Sequence, residues 1–267
     1  MIRNILCILT IGLMTPVMFP FAVTTLLVTR SADASMWWTQ RPWSWLMMFA
    51  SGASIEVVGG QQYIDPKRPV IFLSNHMSTL DIPVLFRALW PVRFRFVIKN
   101  IIKYVPFLGW YTWLAGFVFV DRSRTRKAIA SLDAAATKIR KGTSIVIFAE
   151  GTRSENGKVL PFKKGPFMLA LKAGVPVLPV TIVGTDIVMP KNSWNITPTT
   201  VKVKIGAPID PAQFNGDRDA LMRAVRDVII DQSLELGGKG GDKRTVLSRV
   251  KDGEKEPETG DSEEAEA

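Results

Sequence analysis

The chain is poor in the residues that most often build active sites. Among 267 residues, His76 is the single histidine and Cys7 the single cysteine. One cysteine excludes an internal disulfide framework. With one histidine beside it, a Cys/His zinc site of the usual four-ligand kind is excluded too, and the site expected here holds no metal. Any chemistry that needs an imidazole must use His76. No Gly-x-Ser-x-Gly nucleophile elbow occurs, and the glycine-rich stretch after Leu236 (GGKGGDKR) has no Gly-Lys-Ser/Thr at Walker A spacing. Internal repeats are absent as well.

Charge is missing from one place in particular. Residues 4–29 carry none, and Arg3 and Arg30 bracket them. That is enough to cross a bilayer core, which needs roughly 20 apolar residues. Pro16 and Pro20 predict a kinked or re-entrant helix rather than a straight span. The Ala32-Asp33-Ala34 triplet resembles a leader-cleavage site, but the apolar run is longer than the h-region of about 7–15 residues that such leaders use. A retained anchor is expected. Trp37, Trp38, Trp43 and Trp45, half of the eight tryptophans, follow within nine residues around Arg41. Indoles favour the headgroup level of a membrane, so residues 1–50 read as an anchor plus an interfacial helix.

The remainder is charged and strongly polarised. The net charge is +10, yet residues 251–267 set Lys251 and Lys255 against eight acids, leaving the body at +16. A body so basic points to an anionic partner. Its cations are scattered among apolar strands without a nucleic-acid motif, which favours phospholipid headgroups and leaves no role for nucleic acid. Residues 237–267 read as a flexible linker and an acidic disordered tail.

From residue 51 to 236 short β-branched runs alternate with helical patterns. Strands are expected over 55–58, 69–74, 92–98, 117–120, 144–149, 177–183 and 201–205. A helix capped by Ser123 places Ile129, Leu132, Ala136 and Ile139 on one face and stops at Gly142. Another runs from Asp217 to about Leu236. The order implies an α/β domain, a sheet covered by helices on both faces. Residues 105–120, apolar but broken by Pro106, Gly109 and Gly116, are expected to form a buried or membrane-facing loop.

Four blocks at strand ends carry the polar chemistry. In Asn75-His76-Met77-Ser78-Thr79-Leu80-Asp81, the five-residue spacing would put His76 and Asp81 roughly 140° apart on a continuous helix. They meet only if His76 lies on the loop and Asp81 opens the next helix, as Pro83 in a first turn suggests. Asp81 can then hold one ring nitrogen and leave the other as an acceptor. The same spacing also suits a carboxylate that merely caps a helix. Phe148-Ala149-Glu150-Gly151-Thr152-Arg153-Ser154 offers a hydroxyl, a backbone of close approach and a guanidinium fork for phosphate. Gly116–Arg122 (GFVFVDR) ends in an Asp121-Arg122 pair. In Val175-Pro176-Val177-Leu178-Pro179-Val180 the two prolines predict an edge or strand-entry segment.

In that order and at those separations the four blocks resemble the signature blocks of the glycerolipid acyltransferase family, bacterial 1-acyl-glycerol-3-phosphate acyltransferases in particular. The likeness covers about residues 50–210. It implies transfer of a fatty acyl group from a thioester of coenzyme A or acyl carrier protein to the sn-2 hydroxyl of lysophosphatidic acid, yielding phosphatidic acid. No cofactor beyond that co-substrate is implied. By the resemblance His76 is the general base and Asp81 its orienting partner, while Arg122, Glu150, Gly151, Thr152 and Arg153 form the acceptor site. Partners would be membrane phospholipids, the lyso-lipid and the acyl carrier, at a bacterial inner membrane with the site facing the cytoplasm. Other lyso-lipids, such as a lyso-ornithine lipid, fit the same motifs, and a non-catalytic lipid-binding protein is the more distant alternative. The sequence departs from the family at Ala149, where proline is usual, and at Pro166, where a small residue is usual.

Overall fold

The computed structural model describes residues 2–120 and 125–243. Two antiparallel helices lead, α1 (Ile2–Thr29) and α2 (Ala32–Ser51). Both prolines of α1 lie inside one continuous helix, which is long and apolar enough to cross a membrane. Ser31 caps α2 through its side chain, and Gly52 closes it in the left-handed region at φ +68°. The hairpin is tied shut where Ser35 Oγ donates to Ala22 O at 2.8 Å. Arg95, buried on β3 (Phe94–Lys99), donates to Asp33 at 2.5 Å and locks the start of α2 onto the sheet. The indoles divide their duties. Trp38 and Trp45 face outward, whereas Trp37 packs on Trp90 and Trp43 on Phe86.

Seven strands form one sheet in the order β1-β7-β6-β2-β5-β3-β4. Besides β3 these are β1 (Ser54–Gly59), β2 (Ile71–Ser74), β4 (Val118–Val120), β5 (Ser144–Phe148), β6 (Val177–Val183) and β7 (Thr200–Ile205). All neighbours run parallel except β6 and β7, so the sheet is mixed. Its central strands are apolar without alternation because both faces are covered. Phe72, Val146 and Leu178 pack on one face with α2 and with α3 (Asp81–Ala88). Ile71, Leu73, Ile145 and Ile147 pack on the other, against α5 (Thr125–Arg140), α6 (Lys164–Ala173) and α8 (Arg218–Glu235). Within α5, Leu132, Ala136 and Ile139 are buried as their spacing requires, and Gly142 sits at φ +100°. Ser123 lies outside the described residues, as do Asp121, Arg122 and the acidic tail.

Three expectations change. Residues 105–120 are not one loop: they hold a short helix, α4 (Leu108–Leu114), whose Trp110 and Trp113 are exposed, and then β4. Of the two readings of the proline-rich segment, strand entry holds for Pro176, which directly precedes β6, but the strand is not an edge, since β6 lies between β2 and β7. Pro179 is tolerated there because the β7 ladder ends beside it, with Gly206 N donating to Pro179 O at 2.7 Å.

The third change concerns residues 237–243, which are no flexible linker. They fold back as a strap on the domain, with Val159 N donating to Gly240 O at 2.7 Å and Arg226 Nη1 to Asp242 O at 2.7 Å. Lys239 Nζ reaches Asn156 O at 2.7 Å. The glycines are there for contact rather than looseness: a Cβ on Gly241 would lie 2.8 Å from Val159 O, and one on Gly238 2.6 Å from Ser233 Oγ.

Candidate active site

β2 and β5 are parallel neighbours, so the loops leaving their C-terminal ends emerge side by side, where open α/β sheets collect their sites. Backbone and side chains then stitch these loops together. Ala149 N donates to Ser74 O at 2.9 Å and Ser154 N to His76 O at 2.8 Å. Arg153 Nη1 donates to Thr79 Oγ1 at 3.0 Å. Ala149 keeps the N–H that reaches Ser74 O, which a proline at this position would lack. Pro166 lies in the first turn of α6, where a missing N–H leaves no intrahelical acceptor unpaired.

On the first loop, Asn75 acts as a surrogate strand. Its side-chain amide donates to Ile182 O at 2.8 Å while its Oδ1 accepts from Ile182 N at 2.8 Å. Asp81 opens α3, fully buried, and turns its carboxylate back over the loop. Oδ2 accepts from His76 Nδ1 at 2.8 Å, Met77 N at 2.7 Å and Ser78 N at 3.0 Å, and Oδ1 accepts from Thr185 Oγ1 at 2.5 Å. The carboxylate therefore does more than cap a helix. It shapes the turn and commits the Nδ1 edge of His76, which leaves Nε2 as the acceptor of the neutral ring. The imidazole lies flat on Phe148, with centroids 3.8 Å apart and planes at 10°.

Glu150 departs from its expected position among the acceptor groups. It is 1% exposed and turned beneath the loop, where Oε1 accepts from His76 N at 3.2 Å. Burial pushes its carboxyl well above the ordinary glutamate range. The backbone donor of His76 opposes that shift most, Asp81 adds to it, and the nearby Arg226 opposes it weakly. Because the folded form holds this proton more tightly than the unfolded chain, folding takes up a proton above the ordinary value of 4.5. The contribution is thus most favourable at low pH and is lost as pH rises toward the folded value. A Glu150→Gln variant keeps the Oε1 acceptor and removes this titration. Thermal unfolding is expected to show the variant more stable than wild type at neutral pH, with the difference shrinking as the pH falls toward 4.5.

Other expected residues divide clearly. Gly151, at φ +71°, lines the cavity described below, Thr152 is exposed, and Arg153 is half-buried against Thr79. Arg122 lies outside the described residues, although β4 delivers the chain to the same sheet edge, Val120 pairing with Lys99. Sequence reading missed Asn75 and Thr185 as loop-setting residues, and Arg226 as well. The last had a signal: it is a cation on the α8 face that also carries Met222, Val225, Ile229 and Ile230, all buried.

Behind His76 opens a cavity of about 400 Å³. Thr79, Phe148 and Gly151 flank the imidazole at one part of its wall, and Phe86, Phe96 and Ile98 continue it along the sheet. The helical hairpin supplies Met18, Trp43 and Met47, and α4 supplies Leu108 and Tyr111. His76, with Lys99 elsewhere on the wall, thus faces a largely apolar enclosure built jointly by the sheet and the two leading helices, the form expected of a site for an aliphatic chain.

A family model described as Acyltransferase matches residues 55–183, the stretch that contains both loops. The chain is 34% identical over 207 residues to a 1-acyl-sn-glycerol-3-phosphate acyltransferase of Saccharomyces cerevisiae, covering 76% of this chain and 67% of that protein. The chain belongs to the acyltransferase family. A second member, the 1-acyl-sn-glycerol-3-phosphate acyltransferase alpha of Homo sapiens, is 32% identical over 194 residues, covering 71% of this chain and 68% of its own. Matches to the curated family members span from about half to two thirds of their length. Among solved structures, the 1-acyl-sn-glycerophosphate (LPA) acyltransferase PlsC from Thermotoga maritima aligns with a TM-score of 0.74 at 31% identity, covering 88% of this chain and 97% of its own. The expected α/β architecture, a mixed sheet preceded by an apolar helix of membrane-crossing length, is therefore the acyltransferase one.

Proposed function

We propose that this protein transfers a fatty acyl group from an acyl thioester to the sn-2 hydroxyl of lysophosphatidic acid, forming phosphatidic acid. The observation that carries this reading is the His76–Asp81 pair at the wall of an apolar cavity, with Arg153 held beside it. Neutral His76 accepts the hydroxyl proton at Nε2 as the oxygen attacks the thioester carbonyl, and Asp81 stabilises the imidazolium that forms. The tetrahedral intermediate collapses, the C–S bond breaks, and the thiolate leaves and takes the proton from His76. No acyl-enzyme forms. Arg153, with Arg122 and Thr152, binds the phosphate, whose geometry suits a guanidinium fork. Gly151 allows close backbone approach, and Glu150 supports the His76 loop from below. The cavity takes the acyl chain.

Residues 1–50 act as the membrane anchor and the domain that follows as the transferase. The acyl carrier is coenzyme A or acyl carrier protein, both met on the cytoplasmic side, so the site faces the cytoplasm from a bacterial inner membrane. Acyl transfer from labelled acyl-coenzyme A tests the reading in washed membranes. Lysophosphatidic acid should be converted to phosphatidic acid, and a monoacylglycerol lacking the phosphate should react at least about tenfold more slowly, as expected when a charge-assisted contact of about 1.5–3 kcal/mol is lost. Equal rates for the two acceptors would overturn the phosphate assignment. Transfer only to other lyso-lipids would redirect the acceptor.

A further inference from the structure

Away from His76, Thr79 and Lys99 the cavity wall is largely apolar, with one further polar patch where α2 meets α4. Thr39, Gln40 and Tyr111 all line it there, together with Thr112. The hydrogen-bond roles in this patch can be assigned in sequence. Thr39 Oγ1 lies 2.8 Å from Ser35 O, a carbonyl that only accepts, so the threonine hydroxyl spends its one proton there. Thr39 Oγ1 also lies 2.7 Å from Tyr111 Oη, and with its own proton committed it must accept in that contact. Tyr111 is therefore the donor, and its phenol oxygen keeps acceptor capacity toward the cavity. Burial pushes this phenol up to about 12, so it stays neutral in that role.

Gln40 supplies the complementary half. It is 8% exposed, and its Nε2 has no hydrogen-bond partner among the described residues. The carboxamide lies close beside Tyr111, and their side-chain interaction holds the phenol below where burial alone would put it, but the contact lacks the geometry of a formed hydrogen bond. An unpaired buried amide N–H costs roughly 1–3 kcal/mol, so an occupant that satisfies it gains what a plain hydrocarbon cannot. The patch thus presents a free donor and a free acceptor, side by side, inside an otherwise oily pocket. One small group satisfies both at once: a hydroxyl, which accepts from Gln40 Nε2 and donates to Tyr111 Oη.

The geometry points to a hydroxylated acyl chain as the preferred occupant of this cavity, with Gln40 and Tyr111 as the residues that recognise its hydroxyl. An unsubstituted chain also fits, but it leaves Gln40 Nε2 unpaired and loses in competition. The inference rests on the acyl-transfer reading only for which substrate carries the chain. Recognition itself is a property of the cavity.

The test uses a series of hydroxyacyl-coenzyme A thioesters of one length, with the hydroxyl stepped along the chain, against the unsubstituted thioester. A parallel arm places the hydroxyl on the chain of lysophosphatidic acid instead. Wild type should favour one hydroxyl position by about tenfold in kcat/KM, the size expected for one net hydrogen bond with relief of an unpaired donor. The arm in which the preference appears says which substrate fills the cavity. Gln40→Leu and Tyr111→Phe, two variants so that one remains if the other fails to fold, should each reduce the ratio of hydroxylated to plain turnover toward one. The same series of free fatty acids, scored by thermal shift of the purified protein, gives a readout without turnover. Discrimination in that binding assay with no turnover of any donor would count against the transfer reading alone. Absence of a preferred hydroxyl position in both assays, or a preference that survives in both variants, would overturn the inference.

Discussion

Replacing His76 by alanine is expected to lower acyl transfer by about 10²- to 10⁴-fold, the range of a positioned general base. The size follows from the composition as much as from the geometry. His76 is the single histidine, so no second imidazole can take over. The ring makes its Nδ1 contact with Asp81 and stacks on Phe148, and its removal leaves the loop pinned by Asn75 and by the Ser154 N–H to His76 O bond, which alanine preserves. Membrane protein level should therefore stay near wild type while phosphatidic acid formation collapses. The comparison to make is initial rate per unit of protein in the membrane, across pH. Rates within about threefold of wild type would remove His76 from the mechanism, since a general base contributes at least about a hundredfold.

Asp81→Asn should be nearly as damaging to turnover while sparing the fold, and the separation of the two effects is the point of the substitution. An asparagine can reproduce every contact of the carboxylate. Its Oδ1 can take the place of Oδ2 and accept from Met77 N, Ser78 N and His76 Nδ1, and its amide nitrogen can donate to Thr185 Oγ1 once that hydroxyl rotates. What is lost is the negative charge that stabilises the imidazolium formed during attack. Thermal stability should fall by no more than about 1–2 kcal/mol, the scale of trading charge-assisted bonds for neutral ones. Turnover should drop by about a hundredfold or more, because the base no longer gains from its partner when it charges. Asp81→Ala, by contrast, strands two backbone N–H groups and the Thr185 hydroxyl and should damage both. An Asn variant that turns over normally would make Asp81 a structural residue of the loop, with His76 acting alone.

Much of the architecture could be read from periodicity. Short, mainly apolar runs such as 71–74 and 144–148, without polar alternation, read as strands buried on two faces, and the bounds of β6 fall where its composition changes. Helix geometry allowed His76 and Asp81 to touch in only one way, while the expectation that they do touch came from the family resemblance, the spacing alone suiting a mere helix cap equally. The losses have physical causes. A glutamate after a strand carries no sign of which way it will turn, and Glu150 goes inward because its neighbour strand places the His76 backbone N–H within reach. Clustered glycines read as looseness, whereas Gly238 and Gly241 serve close packing that only tertiary structure creates. Pro179 was read as marking an edge or a strand entry, because nothing in sequence says that a neighbouring ladder stops beside it. Thr39 and Tyr111 stand 72 positions apart, so their contact had no local signature at all.

The shared ownership of the cavity changes what the leading hairpin is. Met18, Trp43 and Met47 are cavity wall as well as anchor, and Phe148 and the sheet supply other parts of that wall. An aliphatic chain bound there would lie against Met18 of the helix that is long and apolar enough to cross a membrane. If the proposed acyl chain occupies this cavity, swapping the first 50 residues between relatives would change chain preference together with membrane attachment, because the same hairpin serves both.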